Sequence, residues 1–147
     1  MKKTDPRQAK PTRVLRELLA GEDILVSPGV YDGYSVRLVE KMGFKTACTT
    51  GAGLANSRLG VPDVGIMGLT DNVDACRMIA RSVSIPVMAD ADTGYGNPVT
   101  VYHTIQRFEE AGVAGVNIED QVSPKRCGHM TGKDVIDMRE MARKIEA

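Results

Sequence analysis

The chain has 147 residues, of which 42% are hydrophobic and 4% aromatic, and its 19 Lys and Arg balance its 19 Asp and Glu. That length suits one domain whose core removes about two-thirds of the unfolded surface from water. A zero net charge excludes the basic footprint of a nucleic-acid binder or of a protein docked on an anionic membrane, so a small-molecule partner is expected.

Residues 1 to 11, from MKKTDPRQAK onward, are polar, basic and bounded by proline, and read as a loose tail without the apolar core of a signal peptide. TRVLRELLA (12 to 20) reads as a helix capped by Thr12 and ended by Gly21. Four β-α units are expected after it. Their apolar runs are ILVSPGV (24 to 30), FKTACTTG (44 to 51), PVMADAD (86 to 92) and the stretch 112 to 120. Their helices are placed at 32 to 42, 70 to 82 after a glycine-rich loop, 98 to 111, and from Lys133 onward. The runs are nearly continuous rather than alternating, as parallel strands covered on both faces require. None is long enough to span a bilayer. Cys48, Cys76 and Cys127 are odd in number, far apart and without a CxxC pair, which argues against a disulfide framework or structural zinc and for a reduced, cytoplasmic setting.

The polar residues of chemical interest recur at one place in each unit. Thr49, Thr50 and Gly51, then Asp90 and Asp92, then Glu119 and Asp120, all fall at the C-terminal ends of their strands, where parallel α/β folds carry their sites. Asp90 and Asp92 alternate, so an extended strand would aim both to one side, and Glu119 arrives from the next strand. Three carboxylates without thiolate or imidazole suit a hard cation, magnesium or manganese. Helix capping plus a structural salt bridge explains the same pattern equally well on spacing alone.

Cys127 sits in the loop-forming stretch PKRCGH. Lys125 and Arg126 beside it would lower its thiol pKa from about 8.5 and make it a candidate acid/base; the competing reading is a loop cysteine next to two solvated cations. His129 is a candidate for an anionic group, whereas His103 falls within a helix and reads as structural. Cys48 and Cys76 read as small packed residues. Thr49 to Gly53 can offer backbone N–H groups to a carboxylate or phosphate, although the glycine order is neither a P-loop nor a dinucleotide fingerprint.

Four segments in order resemble the isocitrate lyase and phosphoenolpyruvate mutase superfamily: Leu59 to Asp63 (LGVPD), Asp90 to Gly96 (DADTGYG), Asn117 to Gln121 (NIEDQ) and Lys125 to Met130 (KRCGHM). The resemblance implies a (β/α)8 barrel, of which this chain carries about the first four strands. It implies magnesium, or manganese, at the C-terminal mouth, approached by Asp90, Asp92 and Glu119 partly through water. A 2-hydroxy or 2-oxo carboxylate would chelate the ion, cradled by Thr50, Gly51 and Ala52, with Asp63 and Gly128 also among the substrate-binding residues. In the cysteine-bearing lyases the reaction is a retro-aldol cleavage, which makes Cys127 the general acid/base. Lys125, Arg126 and His129 would hold the anionic end of the substrate and keep the thiol ionisable.

Two departures qualify that expectation. Cys48 stands where the isocitrate and methylisocitrate lyases usually have tyrosine, and Thr50 where they have serine. Family members also run to nearly twice this length. The leading expectation is a carbon-carbon lyase of the methylisocitrate or dimethylmalate type. Its rivals are a carboxyphosphonoenolpyruvate mutase or oxaloacetate decarboxylase of the same superfamily, and an inactive half-barrel that only binds or assembles. Half a barrel leaves two unpaired strand edges, so a homo-oligomer is expected.

Overall fold

A computed structural model describes residues 10–147; residues 1–9 of the expected tail lie outside the described part. The elements run α1 (Pro11–Leu19), β1 (Gly29–Val30), α2 (Gly33–Lys41), β2 (Ala47–Thr49), α3 (Gly51–Leu54), a π-helical turn (Ala55–Leu59), α4 (Leu69–Arg81), β3 (Val87–Asp90), α5 (Pro98–Ala111), β4 (Gly115–Asn117) and α6 (Met138–Glu146). The four strands form one parallel sheet in sequence order, with Gly29 beside Cys48, Cys48 beside Met88 and Met88 beside Gly115. This is half of a (β/α) barrel.

Local chemistry sets most of the helix starts. Asp32 and Ser35 form a reciprocal capping box on α2, Asn97 accepts from the Thr100 N–H ahead of α5 with Pro98 in its first turn, and Gly112 closes α5 in the left-handed region at φ 90°. The cap expected at Thr12 is not made. Pro11 already occupies the first turn of α1, where its missing N–H costs nothing, and Lys10 provides no side-chain cap.

Two further boundaries differ from the sequence reading. The glycine-rich stretch after β2 is helical because the Thr50 hydroxyl accepts from the Gly53 N–H and starts α3. The last helix begins at Met138 rather than Lys133. The preceding residues run antiparallel to the segment after β4, with the Val122 N–H on Asp134 O at 2.9 Å and the Ile136 N–H on Asp120 O at 2.8 Å.

The core fills the space between sheet and helices. Val30, Ala47, Val87 and Ala89 from the strands meet Val36, Val73, Cys76, Ile79 and Phe108 from the helices. Phe108 is among the largest side chains with no exposed surface. Burying it contributes about 2–3 kcal/mol. Leu15 of α1 reaches Gly115, where an added Cβ would stand 3.2 Å from its Cδ2, so the first helix packs on the start of β4. Lys144 of α6 donates to Thr93 O at 3.1 Å and ties that helix to the turn after β3.

Candidate active site

The ends of β3 and β4 and the two loops beside them converge on one ammonium group. Lys125 Nζ lies 3.0 Å from Asp63 Oδ1 and 3.6 Å from Glu119 Oε1, and it forms a closer ion pair with Asp92 Oδ1. Lys125 is only 3% exposed and Asp92 6%. Burial alone would lower the Lys125 pKa, but hydrogen bonding and charge from Asp92, with help from Asp90 and Asp63, outweigh it and hold the ammonium charged. For Asp92, burial pushes the carboxyl up, and Lys125 and the Tyr95 hydroxyl pull it back. The ammonium faces several carboxylates, whereas Asp92 faces one lysine.

Asp90 and Asp92 do meet, though not by strand alternation. The strand ends at Asp90, and Asp92 turns into the left-handed region at φ 48°, so that its own N–H donates to Asp90 Oδ1 at 3.0 Å. The other oxygen, Asp90 Oδ2, accepts from the Gly51 N–H at 2.8 Å. Of the expected cradle, the Gly51 N–H, at the start of α3, bonds Asp90, and the Thr50 side chain caps α3. Ala52 follows them in the same turn. Asp63, expected among the substrate-binding residues, stands in the carboxylate cluster around Lys125.

The loop that carries the thiol folds back on itself. Lys133 donates to Gly128 O at 2.8 Å and Met130 O at 2.6 Å, and Arg126 donates to Thr131 O at 3.3 Å. Cys127 Sγ is 3.6 Å from His129 Nδ1, and His129 is exposed. Lys125, expected to hold the anionic end of the substrate and keep the thiol ionisable, has its ammonium in the carboxylate cluster. His103 lies exposed on α5, apart from these residues.

Three residues that sequence reasoning passed over complete the arrangement. Gln121, 7% exposed, donates to Glu119 Oε2 and to Arg126 O and accepts from the Arg126 N–H, joining the cysteine loop to the end of β4. Tyr95 donates to Asp92 Oδ2 at 3.0 Å, and Asn72 of α4 donates to Asp90 O and to Tyr95 Oη. Burial and the Asp92 charge raise the Tyr95 pKa, so its hydroxyl keeps its proton. An aromatic between two glycines and an amide inside an amphipathic helix were the only signals for the last pair.

Among the described residues no three His, Cys, Asp or Glu side chains are grouped so as to hold a metal ion by themselves. The donor chemistry nevertheless suits a hard cation that keeps water. Asp92 Oδ1 is buried, and the cation it meets is the Lys125 ammonium, which sits among the carboxylates.

Residues 15–147 match the family described as phosphoenolpyruvate phosphomutase. The chain belongs to that family. Among curated members of the wider superfamily it is 43% identical to a 2,3-dimethylmalate lyase of Eubacterium barkeri over 90% of this chain and 46% of that protein. It is 44% identical to a 2-methylisocitrate lyase of Aeropyrum pernix over 94% of this chain and 44% of that one. A solved oxaloacetate acetylhydrolase bound to 3,3-difluorooxalacetate superposes with a TM-score of 0.88 at 44% identity, covering 92% of this chain and 47% of the other. A phosphonopyruvate hydrolase in complex with oxalate and Mg2+ superposes at 0.83 with 29% identity, covering 93% and 46%. The family member described here thus spans about half the length of the relatives it matches. Among its described residues no helix is long and apolar enough to cross a membrane.

Proposed function

We propose that this chain carries the cation-binding and proton-donating part of a carbon-carbon lyase that cleaves a 2-hydroxy di- or tricarboxylate of the methylisocitrate or dimethylmalate kind to a 2-oxo acid. The observation that carries it is the meeting of Asp63, Asp92 and Glu119 on one cationic point, with Cys127 two residues further along the same loop. Relatives named for the methylisocitrate and dimethylmalate cleavages, and neighbours solved with difluorooxalacetate and with magnesium and oxalate, support the substrate class and the choice of Mg2+.

Asp92 would hold the cation through Oδ1, with Asp63, Asp90 and Glu119 reaching it directly or through water. When bound, the ion would stabilise negative charge on the oxygen of the forming 2-oxo acid. The protein's own groups handle the protons. The substrate hydroxyl would pass its proton to a carboxylate of the cluster, the half-buried Glu119, as the carbon-carbon bond breaks. The bonding electron pair stays on the departing carbon, and the Cys127 thiol gives that carbon a proton. The thiolate and carboxylic acid left behind return to their resting forms by proton exchange through solvent. His129, 3.6 Å from the sulfur, is placed to exchange the thiol proton. Arg126 and Gly128 flank the thiol and would meet the anionic end of the substrate, and the Ala52 backbone at the start of α3 would meet its carboxylate.

The 0.88 superposition on an oxaloacetate acetylhydrolase favours a second reading, hydrolytic cleavage of a 2-oxo dicarboxylate. The products separate the two. Incubating the 147-residue chain and its Cys127→Ser variant with Mg2+ and methylisocitrate, dimethylmalate or oxaloacetate should release a 2-oxo acid from a hydroxy acid in a cysteine-dependent way. Oxalate and acetate from oxaloacetate would instead establish the hydrolase. Silence from a folded chain that binds the cation would leave a binding module. We extend the proposal to a homo-oligomer because, among the described residues, β1 and β4 each have an unpaired edge; a monomeric mass by light scattering would remove that part.

A further inference from the structure

From one run of buried hydrogen bonds, we infer that Tyr95 and Asn72 are positioning residues that decide which carboxylate oxygen of Asp92 faces the cation. This rests on the cation-site reading above. The run starts at the Asp90 N–H, which donates to Thr49 Oγ1 at 3.0 Å. The Thr49 hydroxyl stands 3.7 Å from the Cys76 sulfur, and the Cys76 thiol donates to Asn72 Oδ1 at 3.3 Å. The Asn72 amide then donates to Asp90 O at 2.8 Å and to Tyr95 Oη at 2.7 Å, and the Tyr95 hydroxyl donates to Asp92 Oδ2 at 3.0 Å.

The direction of this run follows from what each group can do. The Asp90 carbonyl can only accept, so the NH2 end of Asn72 must face it and the carbonyl end must face Cys76. The same NH2 group reaches Tyr95, whose oxygen therefore accepts and whose single proton is left for Asp92. Thr49, Asn72 and Cys76 have at most 3% of their surface exposed, so water does not compete for these bonds. Asp92 and Tyr95 are held in the left-handed region at φ 48° and 62°, a conformation their neighbours must impose.

The consequence is an asymmetric carboxylate. Oδ2 is occupied by the tyrosine hydroxyl, while Oδ1 is turned to the cationic side, where it pairs with the Lys125 ammonium. Asp92 therefore offers one oxygen to a cation, in a fixed direction.

Titration of the metal-free 147-residue chain with Mn2+, followed by the electron paramagnetic resonance of free Mn2+, tests this. Tyr95→Phe keeps the ring and removes the proton. It should weaken Mn2+ binding about tenfold while the metal-free melting temperature stays within a few degrees of the parent. Thr49→Val, which breaks the run at constant volume, should also weaken Mn2+, and Thr49→Ser, which restores the hydroxyl, should not. Parental Mn2+ affinity in folded Tyr95→Phe overturns the inference, as does parental affinity in Thr49→Val if the tyrosine variant fails to fold. Affinity and metal-free melting temperature falling together overturn it too, because a purely structural contact would behave so. No Mn2+ binding by the parent chain would overturn the cation-site reading itself, an outcome distinct from failure of the positioning role.

Discussion

Gly51 and Asp90 are in contact across β2 and β3: the Gly51 N–H donates to Asp90 Oδ2 at 2.8 Å, and a Cβ on Gly51 would stand 2.8 Å from that same oxygen and 3.3 Å from Lys125 Nζ. No other residue leaves room for the carboxylate there. Gly51→Ala should therefore displace Asp90 while the α3 backbone stays helical. We expect a stability loss of about 1–3 kcal/mol in urea unfolding, together with weakened Mn2+ binding. Unchanged stability and Mn2+ binding would mean that Asp90 has another resting place.

Lys125 stands among the carboxylates that the proposal gives to the cation, so it should compete with that cation. Lys125→Met is expected to raise Mn2+ affinity, by roughly tenfold, or ~1.4 kcal/mol. Without metal the same change should destabilise the chain by about 3 kcal/mol, because it leaves buried carboxylates without their partner. Opposite signs are the signature. A variant that binds Mn2+ no better than the parent would show that the ammonium does not stand in the cation's way.

Much of the architecture was legible in the chain. Short apolar runs ending in polar residues placed all four strands in order, because a parallel strand covered on both faces needs no alternation. What was lost depends on distant partners. Helix α3 looks like a glycine-rich loop in sequence, and it is held through the Gly51 bond to Asp90, a residue 39 positions away. Lys125 reads as a neighbour of the Cys127 thiol, yet Asp63, 62 positions earlier, helps pull it inward. The strand that ought to aim Asp90 and Asp92 to one side ends between them. Their meeting needs a left-handed Asp92 and a tyrosine three residues on, which no period reveals.

Phe108 anchors α5 over the sheet with no exposed surface, among Val73, Ile79 and Val113 of the same core. Phe108→Ala should cost about 3–5 kcal/mol and lower the melting temperature by roughly 10 °C, measured by circular dichroism. A shift of a degree or two would mean that the helices collapse into the space.

Cys76 gives the fold a pH dependence whose sign is fixed. Burial raises its pKa from 9.0 to about 12. Below pH 9 both folded and unfolded chains keep the proton, and the contribution to stability is fully present. Between 9 and about 12 the unfolded chain ionises first, so each pH unit removes up to ~1.36 kcal/mol. Urea unfolding at pH 7.5, 9 and 10.5 should therefore show the parent losing stability over the last interval faster than Cys76→Ala, by about 1–2 kcal/mol, although the variant is less stable at pH 7.5. Other groups that titrate in this range are common to both proteins and cancel in the difference. Parallel slopes would mean that the thiol proton is not retained in the fold, and the hydrogen bond from Cys76 to Asn72 would then lose its donor.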